Sequence, residues 1–191
     1  MAGVDEVGRG PLAGPVVACA VIMPADARRI AGVDDSKRLC ARERERLAIL
    51  IRARAIGLGV GAASVGEIDR VNIYQATVLA MRRALGKLPS RPDHVVVDGN
   101  PLRTLGLAHT ALPCADATCY SVACASIVAK TVRDRLMRRL ADRHPGYHWE
   151  QNCGYGTPEH LQALTERGAT RHHRSTFGPV RHVLDRPLTT E

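Results

Sequence analysis

Aromatic side chains are scarce: the 191 residues include one Phe, one Trp and four Tyr. That argues against the stacking platforms with which proteins grip single strands, and leaves the backbone of a duplex as the more natural nucleic-acid target. Long apolar runs are missing as well. The longest, Val16 to Met23, covers eight residues, far short of a membrane span or of a signal sequence with its cleavage site. Membrane and secreted readings are set aside, and a cytoplasmic location is expected. The six cysteines, at 19, 40, 114, 119, 124 and 153, form no C-x-x-C pair and no Cys/His spacing suited to zinc. Free thiols in a reducing compartment fit them better than a disulfide framework. Gly8-x-Gly10-x-x-x-Gly14 misses the dinucleotide fingerprint by one residue, and the chain contains no G-x-x-x-x-G-K-[S/T], G-x-S-x-G or H-E-x-x-H. Nucleotide triphosphate, serine hydrolase and zincin chemistries therefore have no support.

What is present is positive charge. Lys and Arg number 27 against 19 Asp and Glu, a formal charge of +8 with a pI near 9.6. Arginine spread over the whole chain favours a polyanionic partner. The length suits one globular domain that needs neither disulfide nor structural metal to fold.

Residues 1–7 read as a strand, 8–15 as a Gly/Pro turn, and Val16–Met23 as a buried strand. A charged helix is predicted over 41–53, with Leu47, Leu50 and Ile51 inward. Residues 55–62 alternate apolar residues with Gly57, Gly59 and Gly61. That is a strand with one bare face, open to close approach by another backbone or a helix. Ile73, Ala76, Thr77, Ala80, Met81, Ala84, Leu85 and Leu88 recur at 3-4-3-4 spacing, which predicts an amphipathic helix. Val95-Val96-Val97-Asp98 is a short strand ending on a carboxylate, and 108–113 a weaker one. From Ser121, read as an N-cap, a helix runs to about Arg139 with Lys130, Arg133 and Arg138 largely outside. After Pro145 the pattern gives short helices and loops. The whole is a mixed sheet with helices against it in one α/β domain.

Asp5-Glu6 puts adjacent carboxylates on both faces of a strand. Many such pairs are solvated strand ends, but Asp98 closes a second apolar strand and Asp116 follows a third. Ligands of open α/β sheets collect at such strand ends. Converging carboxylates would make an oxygen-only site suited to Mg²⁺ or Mn²⁺. An acidic pocket within a basic protein points to metal-assisted phosphodiester chemistry, with two ions about 4 Å apart. His144, His148, His172 and His173 form a weaker metal set, read more simply as surface histidines on a basic tail.

Taken together, these residues resemble ribonuclease HII, the type 2 ribonuclease H family. The likeness is carried by Asp5 through Pro15, Asp35-Ser36-Lys37, Ile68-Asp69-x-x-Asn72-Ile73 and Val97-Asp98-Gly99. It continues in Ala125-Ser126-Ile127-x-Ala129-Lys130-x-x-Arg133-Asp134, Asn152-x-Gly154-Tyr155-Gly156-Thr157-x-x-His160 and His173-Arg174-Ser175-x-Phe177. The resemblance implies an RNase H-like fold, a mixed five-stranded sheet flanked by helices, with the catalytic domain over 1–140 and a C-terminal helical extension over 141–191 packed on it. It implies hydrolysis of RNA in RNA–DNA hybrids and incision 5′ of single ribonucleotides embedded in duplex DNA, leaving 3′-hydroxyl and 5′-phosphate ends, as in ribonucleotide excision repair. Asp5, Glu6, Asp98 and Asp116 would hold the metal ions, although the residues around Asp116 are looser than the family's usual Lys-Gly-Asp or Lys-Ala-Asp. Gly8, Arg9 and Gly10 would read the 2′-hydroxyl, Tyr155 would stack on the following deoxyribose, and Lys37, Lys130, Arg133 and Arg174 are candidate phosphate contacts. Asp5 stands four residues from Met1, so the family's usual leading segment is nearly absent and the first strand is open to fraying.

Ribonuclease HIII would be expected to show a different turn and an additional N-terminal domain; neither is visible. A non-catalytic binder of hybrid or junction would gain nothing from buried negative charge. A monomer is expected, and 185–191 carry no sliding-clamp motif.

Overall fold

The computed structural model describes residues 1–185 apart from 27, 35 and 37. Five strands form one sheet in the order β3-β2-β1-β4-β5. They are β1 (Ala2–Val7), β2 (Val16–Ile22), β3 (Gly57–Ala63), β4 (Val95–Asp98) and β5 (Thr110–Leu112). β1, β2 and β3 form an antiparallel meander, whereas β4 pairs parallel to β1 and β5 parallel to β4. The sheet is thus mixed, as expected. Its helices are α1 (Ala41–Arg54), α2 (Val65–Leu85), α3 (Ala115–Thr118), α4 (Tyr120–Arg143), α5 (Trp149–Asn152), α6 (Pro158–Arg167) and α7 (Gly178–Leu184).

Side-chain alternation divides the core. Ala2, Val4, Val95 and Val97 face α2, joined by Ala76, Ala80, Met81 and Ala84. Cys19 and Val21 face α1 and α4, where Leu47, Ile51, Ile127 and Val128 fill the space. The bare face of β3 is used as its pattern predicts. A Cβ on Gly59 would lie 2.0 Å from the Ala84 carbonyl oxygen, and one on Gly61 2.1 Å from that of Ala80. Only glycine lets α2 lie this close to the strand.

Several expectations are corrected. The first strand is not frayed: Ala2 is fully buried and its N–H bonds the His94 carbonyl at 2.9 Å. Helix α2 begins at Val65, a turn and more before the periodic apolar run. Its start is a capping box in which Ser64 and Glu67 bond each other's backbone, a signal readable as Ser-x-x-Glu. Asn72, at φ 69, interrupts this helix, and its side-chain oxygen accepts from the Gln75 N–H to start the second half. Ser121 is not an N-cap. It lies inside the first turn of α4, whose N-cap is Cys119, with its backbone against Gly3. Arg133 is not outside but fully buried.

Gly61→Ala is expected to lose about 1–3 kcal/mol through overpacking. Gly66→Ala, where an added Cβ meets nothing within 4 Å, should gain about 0.5–1 kcal/mol. Chemical-denaturation midpoints of the two variants check both signs.

Candidate active site

The parallel register places Val4 opposite Val97, so the next residues along, Asp5 and Asp98, stand abreast where the strands end. Both point to the α4 face. Asp5 is 6% exposed, hydrogen-bonded to the Ser126 side chain of α4, and accepts from the Glu6 N–H at 2.7 Å. Ser126 in turn bonds the Ser36 hydroxyl at 2.9 Å. Asp98 Oδ1 accepts from the Ala115 N–H at 2.6 Å. That bond anchors the start of α3, whose next residue, Asp116, is half-buried. Glu6, at the end of β1, turns to Arg9 at 3.4 Å.

Electrostatics shows what this arrangement lacks. Burial, reinforced by the neighbouring charges of Glu6 and Asp98, pushes the Asp5 carboxyl from 3.8 up to about 8. Burial also raises Glu6, with Arg9 opposing and Asp98 adding to the shift. Among the described residues, no three His, Cys, Asp or Glu side chains are already gathered about one ion position. Asp5 and Asp98 are turned instead to backbone N–H donors, and Glu6 to the Arg9 guanidinium. Oxygen-only donors, one deeply buried and short of positive charge, fit a hard divalent cation.

The turn beside them is built from two buried arginines. Arg174 donates Nη2 to the Gly8 carbonyl at 2.5 Å, Nη1 to Arg9 at 2.7 Å, and both Nε and Nη2 to Gly14 at 3.0 and 2.8 Å. Arg133 donates to the carbonyls of Pro15, Cys153 and Ala13 at 3.0, 2.9 and 3.1 Å. Gly8, at φ +94, leaves no room for a Cβ, which would meet Arg133 Nε at 2.0 Å. Both guanidinium groups are fully buried. Burial lowers Arg133, while burial and then Arg133 itself pull Arg174 down to about 9. The expectation that these two contact phosphate is therefore corrected: their donors are spent on carbonyls, and their part is to shape the turn.

Arg9 and Gly10 remain exposed. Tyr155 is 47% exposed, and its Cε1 lies 3.5 Å from where a Gly10 Cβ would be. Lys130 is half-buried and bonds Asp134 at 2.6 Å, which also takes Arg44 at 3.1 Å. Lys37 lies outside the described residues.

The histidines are also reassigned. His173 and His160 are buried against Trp149 and Tyr147, not displayed on a tail, while His148 is exposed. Residue typing missed the roles of Ser126, His160 and Asp69, although all three sit within the quoted motifs. A concavity lined by Arg82, Leu85, Pro89 and Leu107 shares no residue with the carboxylate group. A duplex lies across a surface, so an enclosed pocket is not required.

An RNase H-like sheet with carboxylates at the ends of adjacent parallel strands, in a basic protein, defines a metal-dependent endonuclease. The family model described as ribonuclease HII matches residues 2–180. The ribonuclease HII of Granulibacter bethesdensis is 55% identical over 188 residues, 96% of this chain and 86% of that protein. Among solved structures, the ribonuclease H2 of Pyrococcus horikoshii superposes with a TM-score of 0.84 at 29% identity, covering 95% of each chain. The RNase HII of Archaeoglobus fulgidus, solved in complex with PCNA, gives 0.80 at 27% identity and covers 98% of each. The chain belongs to the ribonuclease HII family.

Asp5 generates a stability prediction with a definite sign. Its carboxyl keeps a proton in the folded state that the unfolded chain has lost, so its favourable contribution is complete below about pH 4 and fades as pH rises towards 8. Asp5→Asn should raise the melting temperature in EDTA at pH 8, by about 2–4 °C for each kcal/mol relieved, while leaving the melt at pH 4 nearly unchanged. Mn²⁺ should stabilise the parent more than the variant. Calorimetric scans with and without the ion check all three outcomes.

Proposed function

We propose that this protein hydrolyses RNA in RNA–DNA hybrids and incises duplex DNA 5′ of a single embedded ribonucleotide, leaving 3′-hydroxyl and 5′-phosphate ends. The observation that carries this reading is the pairing of an exposed Tyr155 ring with the exposed Gly10 turn, immediately beyond Asp5 and Glu6. A 2′-hydroxyl both donates and accepts, so backbone groups on a glycine turn can read it without reading sequence. A neighbouring aromatic ring can lie on the next sugar. Arg174 and Arg133 hold the turn in shape before substrate arrives, so that cost is not charged to binding.

Asp5, Glu6, Asp98 and Asp116 would hold a two-ion Mg²⁺ or Mn²⁺ site. The ions would supply Lewis-acid activation of water and stabilisation of the leaving oxygen. The chain's own part is to present those carboxylates at the strand ends. Ser126 orients Asp5, the Ala115 N–H orients Asp98, and Arg9 beside Glu6 offers a cation to the approaching backbone. Lys130, and Lys37 by its place in the sequence, are assigned to phosphate contact.

We further assign 1–140 to the catalytic domain and 141–191 to an extension packed on it, the protein acting as a cytoplasmic monomer. Among the described residues no helix is long and apolar enough to cross a membrane. The notable clamp complex belongs to the Archaeoglobus fulgidus relative. In this chain 185–191 have no clamp motif, and residues 186–191 lie outside the described ones.

The test is incision of a labelled DNA duplex carrying one internal ribonucleotide, beside an all-DNA duplex and a long hybrid, with Mg²⁺, Mn²⁺ or EDTA. A metal-dependent cut 5′ of the lone ribonucleotide is expected. Cleavage of the long hybrid alone would reject the junction-reading role of Gly8, Arg9, Gly10 and Tyr155. Asp98→Asn should abolish cleavage and keep binding; wild-type turnover by that variant would sink the carboxylate assignment. Tyr155→Ala should lose most on the lone ribonucleotide, by roughly tenfold or more if a stacking contact is removed.

A further inference from the structure

Two neighbouring segments meet behind Tyr155, α6 with His160 and the stretch 170–176, and the second is fastened to the distant Asp69 of α2. His160 is fully buried and His173 is 3% exposed. His160 Nδ1 lies 2.8 Å from the Tyr155 carbonyl oxygen, and its Nε2 lies 3.0 Å from Trp149 Nε1 and 3.2 Å from His173 Nε2. An indole N–H can only donate, so His160 Nε2 is an acceptor. The proton of His160 therefore sits on Nδ1 and is donated to the Tyr155 carbonyl. His173 Nδ1 receives the Thr170 N–H at 2.9 Å, so His173 carries its proton on Nε2 and donates it to His160. The partners alone thus assign both rings as neutral and of opposite tautomer. Burial, which pulls both histidines below their usual range, agrees.

The far end of this chain is fastened as firmly as the near one. Asp69 accepts four hydrogen bonds, from the N–H and hydroxyl of Ser175 at 3.0 and 2.9 Å and from those of Thr176 at 3.1 and 2.7 Å. Between Asp69 and Tyr155 stand His173 and Arg174, adjacent residues with different targets. Arg174 reaches the carbonyls of Gly8 and Arg9, and His173 reaches Tyr155 through His160. One dipeptide therefore supports both halves of the proposed reading surface. Tyr155 needs such support: its ring is half exposed, and it follows two residues in the left-handed region, Cys153 at φ 50 and Gly154 at φ 84.

We propose that His160 and His173 are positioning residues for Tyr155. Their directed hydrogen-bond relay fixes the Tyr155 backbone so that its ring stands beside Gly10, and so sets the discrimination of a lone ribonucleotide from DNA. This rests on the role given to Tyr155 above. The relay touches no reacting atom, so its loss acts on junction reading and not on hydrolysis as such.

The direct test compares His173→Phe and His173→Gln with the parent on two substrates, a duplex with one ribonucleotide and a long RNA–DNA hybrid. His173→Phe keeps an aromatic ring but removes the hydrogen bonds to His160 and to the N–H and hydroxyl of Thr170. It should lower kcat/KM on the lone ribonucleotide roughly tenfold, and on the long hybrid by less than about threefold. His173→Gln retains a donor towards His160 and should recover most of the loss. In a Tyr155→Ala background, His173→Phe should add less than about twofold, since both changes act on one ring. Equal losses on the two substrates, no loss on either, or full additivity with Tyr155→Ala overturns the proposal. Side-chain ¹⁵N NMR of the unaltered protein tests it without relying on a variant that folds: His160 must be the Nδ1–H tautomer and His173 the Nε2–H tautomer, and any other pair overturns it. If Tyr155→Ala is itself unselective, the role of Tyr155 falls; if it is selective and His173→Phe is not, only the relay falls.

Discussion

The site depends on two cations placed where no water reaches them. Arg133 and Arg174 lie fully buried beneath the 8–15 turn and give their N–H groups to the carbonyls of Gly8, Arg9, Ala13, Gly14, Pro15 and Cys153. Leu12 and Ala13 of this turn pack into the core, and its backbone bonds Gly154, His172 and Arg174, but the carbonyls of Gly8, Arg9 and Gly14 are met by side chains and not by a strand. Two planar, multiply donating groups satisfy those carbonyls from beneath and leave the outer face of the turn free. Removing either would strand several buried carbonyls at once.

That arrangement also explains how acidic and basic charge coexist. The carboxyl groups of Asp5 and Asp98 are brought together by the parallel pairing of β1 with β4, an arrangement that a proton on Asp5 or a divalent ion relieves. The buried arginines stand nearby but do not neutralise them, since their hydrogen bonds run to carbonyls. Positive charge that holds the scaffold is thus kept apart from the negative charge proposed to hold the metal. Arginines elsewhere pair with carboxylates, as Arg83 with Glu67 and Arg138 with Glu45, or hold loop carbonyls, as Arg82 does that of Leu105.

Much of this was legible beforehand. The strand ending at Asp98, the bare face of β3 and the exposure of Tyr155 all follow from local pattern, because alternation, glycine spacing and flanking glycines act over a few residues. What failed was of one kind. Helical position put Arg133 outside, but the segment that covers it, residues 13–15 and 153, comes from elsewhere in the chain. Ser121 had the chemistry of a cap, yet α3 supplied the preceding turn through Asp98 and Ala115. The histidines read as a polar tail because their partners, Trp149 and Tyr147, meet them only after the extension folds back. Asp69 was visible within a motif, but nothing local could tell that its oxygens would take Ser175 and Thr176.

The sequence by itself determined the element types, the acidic residues at strand ends, the glycine turn and the family. These are encoded in short-range spacing, and in motifs whose order survives along the chain. Only the tertiary structure decided which charges face water and which are enclosed, which tautomer each buried histidine takes, and which residue holds Tyr155. The enclosed arginines depend on contacts between segments more than a hundred residues apart, as between Arg174 and Gly8, and the histidines on contacts between separate elements after Pro145, as between His160 and His173; burial is a property of the assembled fold that no single segment carries.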